Sequence, residues 1–227
     1  MLSSINGNLK GFSHEEGYLR TSCSKYSLKN LSNRLVHLTN DSVQKRSEDY
    51  GKYETGNKLD YMEFQAYLDK TCPAKNVCFE RDILPQMKKI TADCFRAVWG
   101  KIDPLKRCNM FELYGLDFML DEDFKVYLIE VNTNPDLEVK ESPILARLIP
   151  TVLDNTFQLA VDPLFPPPPG HTQSTKKSVS YELCPENKFE LVFDERVDGP
   201  GLAEVIRKRG NVIVEIDDED ASSSESD

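Results

Sequence analysis

Two apolar runs organise the chain. Residues 111–120 (FELYGLDFML) and 124–131 (FKVYLIEV) are rich in aromatic and β-branched side chains, and only Asp121, Glu122 and Asp123 separate them. Runs of that composition joined by so short a connection predict an antiparallel hairpin. Helical spacing dominates elsewhere. Asp60 followed by Glu63 reads as a capping box, with Met62, Phe64, Tyr67 and Leu68 forming the apolar side of a helix that ends near Lys70. Ile83, Met87, Ile90, Cys94 and Val98 recur at steps of three and four, which predicts an amphipathic helix over 81–99 that Gly100 can end. Ser142 and Pro143 start a third helix through Ile144, Leu145, Leu148 and Ile149; Pro150 kinks or restarts it, and Val152, Leu153, Phe157, Leu159 and Val161 bury a second face.

The remaining segments carry shorter signals. Residues 1–16 are polar and glycine-containing without periodicity, and read as a variable leader. Residues 17–22 (GYLRTS) open as a strand, and Leu35 and Val36 form another that runs out into polar His37, Thr39 and Asn40. A polyproline-II exit is expected at the 166–169 proline run, at the end of a domain spanning 17–166. An appendage over 167–214 follows, with short strands at 189–193 and 212–216 around a helix at 202–209. Helices segregated from antiparallel strands make this an α+β chain.

The predicted hairpin also carries the chemistry. Side chains alternate faces along a strand, so Asp117 on the first run, with Glu130 and Asn132 two apart on the second, can project from one side. Two carboxylates and an amide oxygen are hard ligands of the kind that suit Mg²⁺, which keeps part of its shell for water and substrate phosphates. As charges at strand edges in solvent they would need no such role, but inside LYGLDFML and VYLIEVN they are poorly solvated without a partner. Arg20 has a guanidinium fork shaped for a terminal phosphate or a carboxylate; its plainer reading is a surface arginine at a strand end.

The stretch FELYGLDFMLDEDFKVYLIEVNTNP resembles the second metal-binding segment of the tubulin tyrosine ligase-like family, in the ATP-grasp superfamily. RLVHLTNDSVQKRSEDYGKY, residues 34–53, is similar to that family's HLTN segment with its N-x-x-x-x-K continuation, and GYLRTS to the strand and arginine before it. The resemblance covers about residues 17–166, in the family's order. It implies an ATP-grasp-like antiparallel sheet flanked by helices, lacking the first subdomain that supplies adenine contacts and phosphate-binding lysines. It further implies ATP and Mg²⁺ as cofactors, with Asp117, Glu130 and Asn132 holding the metal, and Arg20 and Glu130 as catalytic groups. His37, Leu38, Thr39 and Asn40 would place the nucleotide, and Lys45 would meet an acidic acceptor. The implied function is ATP-dependent ligation of a free amino acid to tubulin through an acyl phosphate. Tyrosine, glutamate and glycine ligation share the metal triad, so the amino acid stays open. A second reading is a catalytically inactive, truncated paralogue that binds tubulin or microtubules.

Charge and cysteines refine this picture. The net charge is −10, but residues 215–227 hold seven acids and no base, which leaves −3 for the rest. That end reads as an acidic disordered tail, and no basic enrichment favours nucleic acid. No run of about 18 apolar residues and no basic-plus-apolar leader occurs, so neither a membrane partner nor a secretory signal is expected. The expected setting is cytoplasmic and cytoskeletal, with the cilium or flagellum included. The six cysteines form no C-x-x-C pair and are expected as reduced packing residues.

Overall fold

The computed structural model describes residues 1–103, 105, 106, 108–139, 142–165 and 186–222, without the side chains of 209–222. It is α+β, with every strand pairing antiparallel. The expected 166–169 polyproline segment lies outside the described residues.

A four-stranded sheet begins at the start of the chain. Strands β1 (Leu2–Ile5) and β2 (Asn8–His14) form a hairpin across Asn6 and Gly7, which both have positive φ, at 54° and 73°. An Asn-Gly pair adopts that conformation readily, and it matches the twist of the flanking strands. Residues 1–16, expected as a leader without regular structure, are therefore central to the sheet. Their polar sequence hid this, because Ser3, Ser4 and Asn8 are themselves buried.

After β2 come β3 (Leu19–Arg20), the one-turn helices α1 (Arg34–His37) and α2 (Asp41–Gln44), and β4 (Lys58–Leu59), which pairs with β3. Leu35 and Val36, expected as a strand, are helical: Asn33 caps α1 by accepting a hydrogen bond from Leu35 N at 3.1 Å. Helix α3 (Tyr61–Thr71) has the expected capping box, with Asp60 and Glu63 each bonded to the other's backbone N–H at 2.8 Å. Helix α4 (Leu84–Ile102) follows a single π-helical turn and passes through Gly100 without ending there.

The run at 111–120 divides into β5 (Met110–Glu112) and β6 (Gly115–Leu120). β5 joins the edge of the first sheet beside β1, while β6 pairs with β7 (Val126–Asn132). Composition alone cannot separate them, since both pieces are equally strand-like. Helix α5 (Pro143–Ala160), capped by Ser142, continues through Pro150. Strand β8 (Phe189–Asp194) completes the sheet in the order β5-β1-β2-β8, and α6 (Glu195–Ser222) follows it. The strand expected at 212–216 and part of the acidic tail are thus helical in backbone. Five alternating residues are a weak period-two signal, and extending an existing helix needs no new nucleus.

The sheet is covered on both faces. Leu2, Leu9 and Phe193 pack with Phe95 of α4, while Met1 and Phe12 pack with Leu159 and Ala160 of α5. A separate core joins the β6–β7 ribbon to α3 and α4 through Leu68, Phe79, Ile83 and Val126, with Phe118, Leu120 and Met87 around them. The five described cysteines form no disulfide.

Gly11 is needed where β2 crosses α4, because a Cβ there would fall inside the van der Waals envelope of the Phe95 ring. Gly11→Ala should therefore lower stability by about 1–3 kcal/mol, read as a lower urea midpoint at unchanged slope. His14, at the end of β2, faces Glu16 O at 3.0 Å and Asn155 of α5 at 3.3 Å, and burial pushes its pKa below the usual 6.5. In the window just below pH 6.5 the unfolded chain binds the proton that the folded chain rejects, so stability is full above it and falls on acidification. The drop in urea midpoint on acidification through that window should shrink in His14→Gln.

Candidate active site

The site is assembled where the β3–β4 ribbon meets the β6–β7 ribbon. Asp117 pairs in register with Glu130, and Gly115 with Asn132, so these side chains share one face. Simple alternation would not place them there. Val126 points into the core, and Glu130, four residues on, would follow it. The register shifts between Asp117 and Phe118, which pair with Glu130 and Leu128, so Ile129 is a bulged residue without a partner. That extra residue reverses the alternation and turns Glu130 and Asn132 onto the outer face with Asp117. The turn beyond is fixed by Asp121, whose Oδ1 accepts from Asp123 N at 3.0 Å and Lys125 N at 2.9 Å.

Arg20 reaches across from β3. Its Nη2 lies 2.7 Å from Asp117 Oδ2, with the two side chains 28% and 32% exposed. Asn132 Nδ2 donates to Glu130 Oε1 at 3.4 Å, which leaves the amide oxygen able to accept. The structure thus gathers Arg20, Asp117, Glu130 and Asn132. Among the described residues no three carboxylate, imidazole or thiol groups gather as a metal site. A cation held by these side chains would use two carboxylates, one amide oxygen and ligands from water or substrate, a donor set that suits Mg²⁺.

The HLTN segment lies beside this cluster, held by contacts that the sequence did not reveal. Gln44 is fully buried. Its Oε1 accepts from Cys23 N at 2.7 Å, and its Nε2 donates to Leu38 O and to Leu35 O, the latter at 3.1 Å. Lys58, with a side chain only 2% exposed, places Nζ 2.6 Å from Asp41 Oδ2. Because Lys58 pairs with Arg20 across β3–β4, this contact ties the residue after Asn40 to the strand that carries the arginine. Tyr18 feels the charges of Arg20, Asp117, Asp41 and Asp136 together, and burial is the main force raising its pKa. No sequence signal marked Gln44 or Lys58, since polar residues of these types are ordinarily exposed.

The expected nucleotide residues are placed unevenly. Asn40 caps α2 through its backbone, its O accepting from Val43 N and Gln44 N at 2.9 Å, and Leu38 and Asn40 are exposed. Thr39 lies between them. His37 turns toward the preceding loop, donating from Nε2 to Asn30 O at 3.2 Å and meeting the Tyr26 ring edge-on at 5.7 Å. Lys45 follows α2, and Lys52 pairs with Asp49 at 2.7 Å. Met119, Tyr127 and Ile129, overlooked as site residues in the sequence, leave an exposed apolar strip on the Asp117 face. A cavity of about 280 Å³ opens at Lys58 and Leu59 and is bounded by Glu54, Glu63 and Ile144.

The model of the tubulin-tyrosine ligase family matches residues 2–169, which includes the whole cluster and also the β1–β2 hairpin. The chain belongs to the tubulin-tyrosine ligase family. Tubulin glycylase 3A of Drosophila melanogaster is 39% identical over 153 residues, 66% of this chain and 15% of that protein. Protein monoglycylase TTLL8 of Homo sapiens is 34% identical over 157 residues, 66% and 17% respectively. Probable tubulin polyglutamylase TTLL9 of Rattus norvegicus is 34% identical over 129 residues, 57% and 27%. The matched regions span 15–27% of the length of these family members. No helix among the described residues is long and apolar enough to cross a membrane.

The buried contacts around HLTN should matter far more than the exposed ones. Gln44→Ala strands the backbone N–H of Cys23 and the carbonyl of Leu38 and should cost roughly 2–3 kcal/mol. Lys52→Ala, which removes an exposed pair, should stay within about 0.5 kcal/mol. Urea titrations of both variants check the contrast; equal losses would refute the placement of Gln44 as the clamp.

Proposed function

We propose that this chain carries part of the catalytic site of an ATP-dependent ligase that joins an amino acid to a carboxylate of tubulin, on an ATP-grasp-like frame. The observation that carries the reading is the contact between Arg20 and Asp117 beside Glu130 and Asn132, within the region matched to the family. In the reaction, the terminal phosphoryl of ATP passes to the acceptor carboxylate to give an acyl phosphate and ADP. The amine of the free amino acid then attacks the acyl carbon, forming the C–N bond as phosphate leaves and the amine loses its proton.

Asp117, Glu130 and Asn132 would hold Mg²⁺. When bound, that ion neutralises phosphate oxygens and the charge that develops during transfer. Arg20 can shift its guanidinium from Asp117 to a terminal phosphate, because both are anions that match the same fork. Leu38, Thr39 and Asn40 lie on the clamped segment next to Arg20 and would place the nucleotide, with His37 setting the loop behind them. Met119 and Ile129 supply an apolar surface for a flat base. Lys45 would meet the acidic acceptor, for which tubulin tails are the candidate.

Glycylase names among the relatives make glycine the first amino acid to test, with glutamate second. Tubulin, ATP, Mg²⁺ and labelled glycine, glutamate or tyrosine should give incorporation with one of the three. Glu130→Gln should reduce it by roughly 100-fold, with an unchanged circular-dichroism spectrum. Near wild-type incorporation by Glu130→Gln at saturating Mg²⁺ would remove Glu130 from the metal set. A second reading is tubulin binding without turnover. Tubulin co-sedimenting with the chain, with no incorporation of any of the three amino acids, would select it.

A further inference from the structure

We propose that the second half of α6 is a self-association surface, on which two copies of this chain pair their helices antiparallel. Leu202, Val205, Ile206, Val212, Ile213 and Ile216 recur at heptad spacing, with Val205 and Val212 seven apart, as are Ile206 and Ile213. On a continuous helix such positions form one apolar seam. The backbone of α6 is helical from Glu195 to Ser222. Its seam begins in the core of the domain, where Leu202 packs with Phe95 and Phe193.

Helix α4 covers the first part of this seam and cannot follow the rest. Arg96 bonds Asp198 at 3.0 Å and Ile206 reaches over Gly100, but α4 ends at Ile102. Already at Val205 and Ile206 the seam is 48% and 56% exposed. Residues 209–222 add roughly 20 Å of helix axis beyond that point. Gly210, Asn211 and the β-branched run 212–214 are poor helix formers, so helix there draws on burial of its apolar side more than on propensity.

Charge selects the occupant and its direction. Arg207, Lys208 and Arg209 precede the 212–214 run, and Glu215, Asp217, Asp218, Glu219 and Asp220 follow it. With two copies antiparallel about Ile213, position 207 meets 219, 208 meets 218 and 209 meets 217, so each basic segment lies beside the other copy's acids. A parallel pair would set acids against acids. Arg209 occupies a seam position, seven from both Leu202 and Ile216, and an arginine there is tolerated where an acid faces it. The segment is thus complementary to itself, and a wholly acidic or wholly basic partner would satisfy only half of it. The net charge of −10 opposes association at long range, but charges farther apart than ~8 Å are screened at physiological salt. This contact is independent of the ligase reading.

The test is sedimentation velocity of the full chain from ~1 to ~100 μM. The chain should shift from monomer to dimer across that range, and the dimer should weaken as salt rises. Ile213→Asp should weaken it at least ~10-fold, as should the triple reversal Arg207→Glu, Lys208→Glu, Arg209→Glu. The opposite triple, Asp217→Lys, Asp218→Lys, Glu219→Lys, should do the same, and an equimolar mixture of the two triple variants should restore the dimer. Because the mixture restores what each variant loses, a misfolded variant cannot mimic the result. A monomer at every concentration overturns the proposal, and a urea midpoint lowered in Ile213→Asp would then place the seam against its own domain. A dimer that these changes leave untouched forms elsewhere on the molecule and also overturns it. A dimer that strengthens with salt overturns the antiparallel direction.

Discussion

One extra residue in β7 decides what the candidate site is made of. Val126 must stay in the core with Phe118 and Leu120, and a regular strand would carry Glu130 to the same side. Buried there without a cation or a base, the carboxylate would be costly. The bulge at Ile129 satisfies both demands, keeping the first half of β7 anchored and turning the second half outward toward Asp117. It also exposes Ile129 beside Met119 and Tyr127, so apolar and acidic surfaces come to lie on one face.

The outward face then depends on a contact between ribbons that share no backbone ladder. Arg20 bridges β3 to β6, and Lys58 opposite it bridges β4 to Asp41. The two differ in accessibility, and that difference matters for function. Arg20 and Asp117 are each about one-third exposed, so their pair is worth little in stability and can exchange partners. Lys58 is buried, and releasing it would strand a charge. One side of the site is therefore adaptable and the other fixed, as expected where a charged ligand replaces an internal ion pair on a preorganised frame.

Much of the helical structure was readable from local chemistry. The Asp60–Glu63 box, the three-and-four spacing through Ile83, Met87 and Ile90, and the Ser142–Pro143 start each act within one or two turns. Tertiary packing does not have to supply them. Pro150 and Gly100 behaved otherwise, since each lies within a helix whose burial outweighs the local penalty. The Asn6–Gly7 turn was equally local, yet its strands were obscured by the buried Ser3 and Ser4, which lie in a strand paired with Met110 and Phe111 far along the chain.

The sequence by itself determined the residue types of the candidate site, the hairpin that bears them and the caps of the main helices, because these depend on neighbours a few positions away. Tertiary structure alone decided that residues 1–16 and 189–194 share one sheet and that Arg20 meets Asp117. It also decided which face Glu130 occupies. Each of these rests on pairing or packing between residues far apart in the chain, or on a bulge whose position is set by the core beneath it, and neither leaves a periodic mark in the sequence.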